Sequence, residues 1–370
     1  IVVDFYYMKD VLSADADKEE VTVQPGITWE QLDRELKSHG LEVRLYPTSY
    51  PSSSVGGWLA QGGAGIGSYQ YGWFPENVVS ARAVMPGGEV KEFRGKDLDL
   101  IAEAEGTTGF ISEVTLKVQK KEDIGVAAIA CPDAHTVSRI YQDFIDHDLP
   151  IWSVVFINPR MAEMKNRAPL MMHHGHPVEE RVILPAAYIS TIAFKEKDRD
   201  AVMKKLPEIV KKCEGEILDQ KIAEHEWEHR FKFMVVKRLG PSLVPAEVVV
   251  PLDKLGHVME DIENRINQPV VKEGVIIRKS RDGKPEAVIL GFIPCDQRKF
   301  SYNFVFGLVL TVLKIAKKYG GRPYSTGLYF TREIEKIMGR DRSLRLKKFK
   351  KQMDPKGLLN PDKVMKSNLV

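Results

Sequence analysis

The residues from Gly56 to Gly72, GGWLAQGGAGIGSYQYG, set dense glycine beside Gln61, Ser68, Tyr69 and Tyr71. Such a stretch suits contact with a ligand through the main chain. Glycine lets backbone N–H groups come close, while hydroxyls and amides bond the remaining oxygens. The density argues against a helix interior, and no collagen period is present. A second glycine turn, in EGTTGFISEVTLKV from Glu105 to Val118, feeds an alternating strand. Two such turns with hydroxyls nearby are what a large, flat, phosphate-bearing cofactor needs. Two other nucleotide readings fail on spacing. GxxxxGK[ST] is absent, and GAGIGS at Gly63 to Ser68 lacks the last glycine of GxGxxG and follows no strand.

These turns must be held by regular elements. Val21 to Gln24 reads as a strand, Pro25-Gly26 as a turn, and Thr28 with Gln31 as a capping box opening a helix that stops at Gly40. Val78 to Met85 and Glu89 to Phe93 form a hairpin about Pro86-Gly87-Gly88, Asp97 caps a short helix to Ala104, and Ile111 to Val118 is a strand. From Cys131 longer helices alternate with strands: helices at Asp133 to His147, Arg199 to Cys213 and around Leu255 to Ile262, strands at Ile151 to Ile157, Tyr188 to Phe194, near Ile217 and at Glu247 to Val250. A hairpin at Asp282-Gly283 and a helix from about Ser301 to Tyr319 follow. The pattern predicts an α+β chain whose second part is an antiparallel sheet covered by helices, with a boundary near Lys121. The basic run Arg345 to Lys351 reads as a solvated helix face, with an acidic partner as the alternative.

Four segments in order, YPTSYPSSSVGGWLAQGGAGIGSYQYG, NVVSARAVMPGGEV, EGTTGFISEVTLKV and MDPKGLLNPDKVM, resemble the flavoproteins of the vanillyl-alcohol-oxidase type, with a PCMH-type FAD-binding domain. The nearest branch is that of the glycolate oxidase flavin subunit and D-lactate dehydrogenase. The resemblance implies a PCMH-type domain over 1–120, a ferredoxin-like antiparallel-sheet substrate or cap domain over 121–340, and a segment over 341–370 returning to the flavin domain. It implies that Pro47, Thr48, Ser49, Ser53, Gly56, Gly57, Gln61, Gly62, Ser68 and Tyr71 line FAD, that Gly106, Thr107, Gly109 and Ile111 hold it from the other side, and that Asn360 comes back towards it. It also implies a preceding subdomain with a glycine-rich diphosphate loop, outside this chain.

The expected activity is FAD-dependent oxidation of a small hydroxy acid such as D-lactate or glycolate, with electrons passed to an iron–sulfur or other electron-transfer partner. The alternative is a non-catalytic flavin-fold subunit serving as scaffold or relay. By the resemblance Arg230, in EWEHRF, binds a carboxylate, which suits its forked donors. Tyr324, Tyr329 and Lys299 are the candidates for the base, each requiring a lowered pKa. Metal-dependent members of the branch carry histidine and glutamate motifs where this chain reads GFIPCDQRKFSYN (Gly291 to Asn303) and GGRPYSTGLYF (Gly320 to Phe330), without histidine. No metal is therefore expected there. The His173-His174-Gly175-His176 cluster reads as a surface loop whose adjacent histidines point apart, and Cys295 as a small buried hydrophobe.

Composition closes off other classes. Lys and Arg total 54 against 51 Asp and Glu, which gives no field for nucleic acid. The 3 cysteines have no CxxC spacing, so no zinc or iron–sulfur site is legible and a reducing, cytoplasmic compartment is expected. The apolar run Phe304 to Ile315 is followed by Lys317 and Lys318, and reads as a helix buried in protein rather than a membrane span. The strand-like start IVVDFYYM lacks a signal-peptide pattern and reads as the middle of a domain.

Overall fold

A computed structural model describes residues 1–174, 176–240, 242–267 and 269–366. The chain divides into two compact units: Ile1–Gly67, Tyr71–Glu122 and Pro323–Val370 form the first, and Ser68–Gln70 with Asp123–Arg322 the second. The return to the first unit thus begins at Pro323, ahead of the 341 expected from sequence.

The first unit is built on strands β1 (Val11–Asp15), β2 (Glu20–Val23), β3 (Leu41–Val43), β4 (Val78–Val84), β5 (Val90–Arg94) and β6 (Phe110–Lys120). Their antiparallel order is β1-β2-β6-β4-β5, with β3 also paired to β6. Helix α1 (Trp29–Ser38) starts with the predicted capping box between Thr28 and Gln31 and buries Trp29, Leu32 and Leu36. Gly40, at φ +68°, ends it in a conformation that a Cβ disfavours.

Four local expectations give way. Val55–Gln61 is a helix, α2, in spite of Gly56 and Gly57, because Ser54 caps it by accepting from the Gly57 N–H and its apolar side packs inward. Ile1 to Met8 form no strand; a β-branched run becomes one only where a neighbouring strand offers it a ladder. Asp97 lies inside a 3-10 turn, Gly95–Leu100, and pairs with Arg345 at 3.0 Å instead of capping a helix. The basic run belongs to a longer helix, Arg340–Met353, that is not simply solvated. Arg342 and Lys350 are buried, Arg342 bonding the Glu103 carboxylate and Ala102 O (2.8 Å), Lys350 the Asp354 carboxylate and Leu359 O (2.8 Å).

The second unit holds β7 (Ile124–Cys131), β8 (Ile151–Ile157), the two-residue pair β9 (Met172–His173) and β10 (His176–Pro177), then β11 (Tyr188–Lys195), β12 (Glu216–Ile217), β13 (Ser242–Pro251), β14 (Val270–Ile277), β15 (Glu286–Cys295) and β16 (Arg322–Pro323). Its main sheet runs β12-β7-β11-β8-β14-β15-β13-β16. Every residue of β11 is buried, as expected for a central strand covered on both faces. The helices are α3 (Ser68–Tyr71, which straddles the two units), α4 (Ala134–Asp146), α5 (Pro159–Arg167), α6 (Arg199–Lys212), α7 (Gln220–Glu228), α8 (Leu255–Arg265) and α9 (Val305–Lys318). Asp133 caps α4, bonding the Thr136 N–H at 2.7 Å.

The buried-helix expectation for α9 is corrected. The continuous helical stretch Phe300–Lys318 is, by length and composition alone, apolar and long enough to cross a membrane, and only 28% of its most apolar window is buried. One side packs through Val312, Leu313, Ile315 and Ala316, while Phe304, Phe306, Leu308 and Leu310 are exposed.

Candidate functional site

In the first unit, α2 and the 105–111 turn face a cleft of about 700 Å³. Gly56, Gly57, Gly106, Gly109, Ile111 and Asn360 line it, together with Ser54, Ala60, Ile101, Phe110 and Leu358, which sequence reasoning did not name. The lining joins main chain at these four glycines to apolar side chains, with Ile1, Val2, Val3, Phe5, Pro25 and Leu359 completing it. Gly56 donates to Pro25 O at 2.8 Å, and a Cβ there would meet the Pro25 Cβ at 2.4 Å. A Cβ at Gly109 would reach Met85 Cε at 2.5 Å and Val84 O at 3.1 Å. The closing segment is tied to the second turn: Asn360 Nδ2 donates to Glu105 O (2.7 Å), and Lys363 and the Gly327 N–H both bond the Glu105 carboxylate at 2.8 Å.

The remaining glycines of the 56–72 stretch are not in this wall. Gly62, at φ +77°, and Gly63 pack against Glu103 and against Trp58 and Tyr324. Beside them Trp58 stacks on Phe74 with ring centroids 4.4 Å apart. Tyr324 belongs here: its hydroxyl accepts the Ala64 N–H at 3.1 Å, so it shapes the glycine loop. Tyr71 donates to Gln119 Oε1 at 2.6 Å, and the Arg44 guanidinium sits over its ring, away from the cleft lining. Thr107 is buried and donates to Ala104 O at 2.7 Å, bracing its turn. Ser49 and Ser53 bond each other at 3.1 Å. Pro47, Thr48, Gln61 and Ser68 likewise stand outside the cleft lining.

The second unit holds a different cleft, lined by Lys165, Glu179, Arg181, His225, His229 and Lys232 among others. Behind it runs an acid–imidazole–imidazole chain from Glu226 and His225 on α7 to His229 at that helix's C-cap. Glu226, its side chain 5% exposed, bonds Lys165, and its other oxygen lies 3.2 Å from His225 Nδ1. His225 Nε2 in turn lies 2.7 Å from His229 Nδ1. Burial works to raise the Glu226 pKa, but the charge of Lys165 and the bonds from His225 and Lys165 outweigh it and hold it at about 2. Burial, then the charges of His225, Lys232 and Lys165, hold His229 down at about 4, so its imidazole is neutral at pH 7.

The proton positions follow from the partners. An ionised Glu226 only accepts, so in the form where both imidazoles are neutral His225 donates from Nδ1 and its Nε2 carries no proton. Nε2 then accepts from His229 Nδ1–H, and the lone pair of His229 falls on Nε2. Sequence reasoning missed this pair, although HxxxH at 225 and 229 places both rings on one helical face. Arg230 follows α7 with its guanidinium over the rings of Trp227 (4.1 Å) and Phe231 (4.4 Å), donating to Trp227 O.

The other candidates have different settings. His173, His174 and His176 are exposed, as a surface loop requires; yet the rings of His173 and His174 stand 4.3 Å apart, because His174, at φ +49°, leaves the strand alternation. Gly175 lies outside the described residues. Cys295 Sγ faces Ser242 O at 3.4 Å, and burial pushes its pKa up, away from a reactive thiolate. Tyr329 is exposed, and Asp296, near Lys299, is held at about 2 by Arg298.

A glycine-lined cleft in one unit and a large antiparallel sheet in the other define a two-part flavoprotein architecture. The FAD binding domain family matches residues 1–94, and the FAD linked oxidases, C-terminal domain, family matches residues 120–364; the chain belongs to the FAD-linked oxidases. It is 26% identical to the mitochondrial D-lactate dehydrogenase [cytochrome] of Arabidopsis thaliana over 99% of this chain and 65% of that protein. With the Glycolate oxidase subunit GlcD of Bacillus subtilis it shares 24% over 71% of this chain and 58% of the relative. It thus spans somewhat under two thirds of these relatives' length. Among solved structures, p-cresol methylhydroxylase with substrate bound superposes with TM-score 0.74 at 14% identity, over 98% of this chain and 79% of that one. An alkyldihydroxyacetonephosphate synthase gives 0.70 at 19%, over 96% and 66%. These two likenesses establish the shared PCMH-type fold.

The cleft of the first unit fits FAD. A side chain at Gly56 would have to displace Pro25 and one at Gly109 the Met85 side chain, and the lining pairs apolar Ala60 and Ile111 with polar Ser54 and Asn360, a mixture that suits a flat ring with polar edges.

Proposed function

We propose that the chain is the catalytic part of an FAD-dependent dehydrogenase that oxidises a small 2-hydroxy acid, of the D-lactate or glycolate kind, and passes the electrons to a separate redox protein. The observation that carries the reading beyond family membership is the His225–His229 contact, 2.7 Å between ring nitrogens, in a cleft that also holds Lys232 and Arg181. Oxidising a hydroxy acid removes a hydride and a proton and requires a cation for the carboxylate. FAD, when bound, supplies the hydride acceptor. Gly56, Gly57, Gly106, Gly109, Ile111 and Asn360 would hold it.

His229 Nε2 takes the hydroxyl proton. The Glu226–His225 pair fixes its tautomer and steadies the imidazolium as it forms, since the nearest carboxylate is two bonds away through His225. Lys232 and Arg181, which line the cleft with His229, recognise the carboxylate, and Arg230, over the Trp227 and Phe231 rings, stands outside that lining. Tyr324 acts as a positioning residue for the glycine loop rather than as the base. The chain has no cysteine spacing for a cluster, which supports a separate electron acceptor. The three free thiols support a reducing compartment such as the cytoplasm.

The test is anaerobic titration of the flavoprotein, made from its full-length gene, with D-lactate, glycolate and a panel of longer 2-hydroxy acids. Bleaching of the flavin by one of them is expected. Reduction by a redox protein alone, with every acid inert, would replace this reading with that of a relay subunit.

A further inference from the structure

A third cluster of ligating groups lies apart from both clefts, where α4 and α8 pack side by side. His135 sits in the first turn of α4; His257 and Glu260 are one turn apart on α8 and therefore share a face. His135 Nε2 lies 3.2 Å from Glu260 Oε2, and one ligand atom from each of the three residues falls within 4.8 Å of the others. The His135 and His257 rings meet edge to face with centroids 4.8 Å apart. The other side of His257 stacks on Tyr319 at 5.9 Å with the planes 11° apart, a platform that orients the ring.

From this geometry we infer a binding site for a single first-row divalent transition ion of the zinc type, with His135, His257 and Glu260 as protein ligands and water completing the shell.

The donor chemistry selects the ion. Two imidazoles and one carboxylate form a mixed nitrogen and oxygen set that suits zinc and its neighbours and disfavours calcium or magnesium, which take oxygen. Bonds of about 2.0–2.1 Å in a tetrahedron place neighbouring donor atoms about 3.3 Å apart. The His135–Glu260 separation, 3.2 Å, is already close to that value, and the exposed His257, whose ligand atom lies within 4.8 Å of the other two, closes on the ion to complete the set.

The backbone is fitted to this arrangement. Gly256, inside α8, lies under His135, and a Cβ there would stand 2.4 Å from His135 Nδ1 and 2.8 Å from its Cα. Glycine weakens a helix interior relative to alanine, and at this position it is what admits the His135 ring against α8. The three residues lie outside both segments where the branch's metal motifs would fall, Gly291 to Asn303 and Gly320 to Phe330. The site is therefore a clip between two covering helices of the second unit, independent of the hydroxy-acid chemistry.

Equilibrium dialysis of the full chain against Zn²⁺, after chelator treatment, tests it directly, together with X-ray absorption at the zinc edge and melting curves with and without the ion. Expected are one tight equivalent per chain, an edge spectrum with two imidazole ligands, and a melting temperature that rises with Zn²⁺. H257Q and E260Q, at exposed positions that leave the fold intact, should each weaken binding roughly tenfold or more. A variant with His173, His174 and His176 all changed to Gln controls for the exposed histidines of the β9–β10 hairpin and should bind as before. Unchanged affinity in H257Q and E260Q, or loss of the tight equivalent in the hairpin variant alone, would overturn the assignment.

Discussion

The two clefts differ in what stands among their apolar side chains. That of the first unit joins main chain at Gly56, Gly57, Gly106 and Gly109 to apolar side chains such as Ile101, Phe110 and Leu358, with Ser54 and Asn360 the polar side chains among them. That of the second unit sets charged and imidazole side chains, Lys165, Glu179, Arg181, His225, His229 and Lys232, among apolar ones such as Leu170 and Leu184. A glycine wall accepts a ligand of fixed shape and resists added atoms where backbone stands behind it, as at Gly56. A charged wall tolerates shape changes, but each of its groups depends on the protonation and presence of the next.

Gly56→Val should therefore produce the largest effect. Its Cβ meets the Pro25 Cβ at 2.4 Å and Pro25 O at 2.9 Å, atoms that cannot swing aside. Visible flavin absorbance of the purified variant should be lost. Gly57→Ala meets only the Ser54 hydroxyl, at 2.9 Å, and should keep most of its flavin. Equal flavin content in the two variants would break the view of a backbone-shaped cleft.

His229→Gln is next. Loss of a positioned base lowers rates by about 10²–10⁴. The rate of flavin reduction should fall by that order at saturating acid while flavin content is unchanged. If only the KM for the acid rises, His229 binds substrate and takes no proton.

The same contrast explains what was legible from sequence. A glycine turn is a local signal, so the cofactor segments could be read from GGWLAQGG and EGTTG, and the Thr28–Gln31 cap from four residues. Locality also misled: the density of glycine at 56–57 concealed α2, because the cap at Ser54 and the packing of Trp58 and Leu59 outweigh propensity there. The second cleft joins α5, α7 and the 179–184 segment, which no local pattern brings together. HxxxH at 225 and 229 was visible, but its meaning depends on Lys165, some sixty residues away in sequence. Tyr71 and Thr107 show the converse, hydroxyls in the right motif whose partners, Gln119 and Ala104 O, appear only in the fold.

Lys165→Met should destabilise the second unit by about 3–5 kcal/mol, since it removes the lysine charge that faces the buried Glu226 and leaves it only the His225 contact. The double variant Lys165→Met/Glu226→Gln should recover much of that loss in urea melts. A double variant as weak as the single one would mean that packing, not charge, is at stake.

Acid should act on the same pair. Glu226 is lowered from its ordinary 4.5 to about 2, so its contribution, on the order of 3 kcal/mol, is present above pH 4.5 and is lost as pH falls towards 2. His229, lowered from 6.5 to about 4, works in the same direction, because the unfolded imidazole takes up its proton first as pH falls below 6.5. Stability measured by urea melts from pH 7 to pH 3 should fall, and in Lys165→Met/Glu226→Gln the limb below pH 4.5 should flatten.

Charge exists in the first unit too, and the smallest predicted effect locates it. Arg345 reaches Asp97 at 3.0 Å and Asp99 at 3.7 Å from a position where it and Asp97 are well exposed. Exposed pairs contribute about 0.2–1 kcal/mol, because water screens them and two long side chains must be held still. Arg345→Ala should stay within that range and leave flavin content untouched, since neither partner belongs to the cleft wall. Loss of flavin in Arg345→Ala would mean that the glycine wall is held in shape by surface charge after all, and the division between the two clefts would fail at its simplest point.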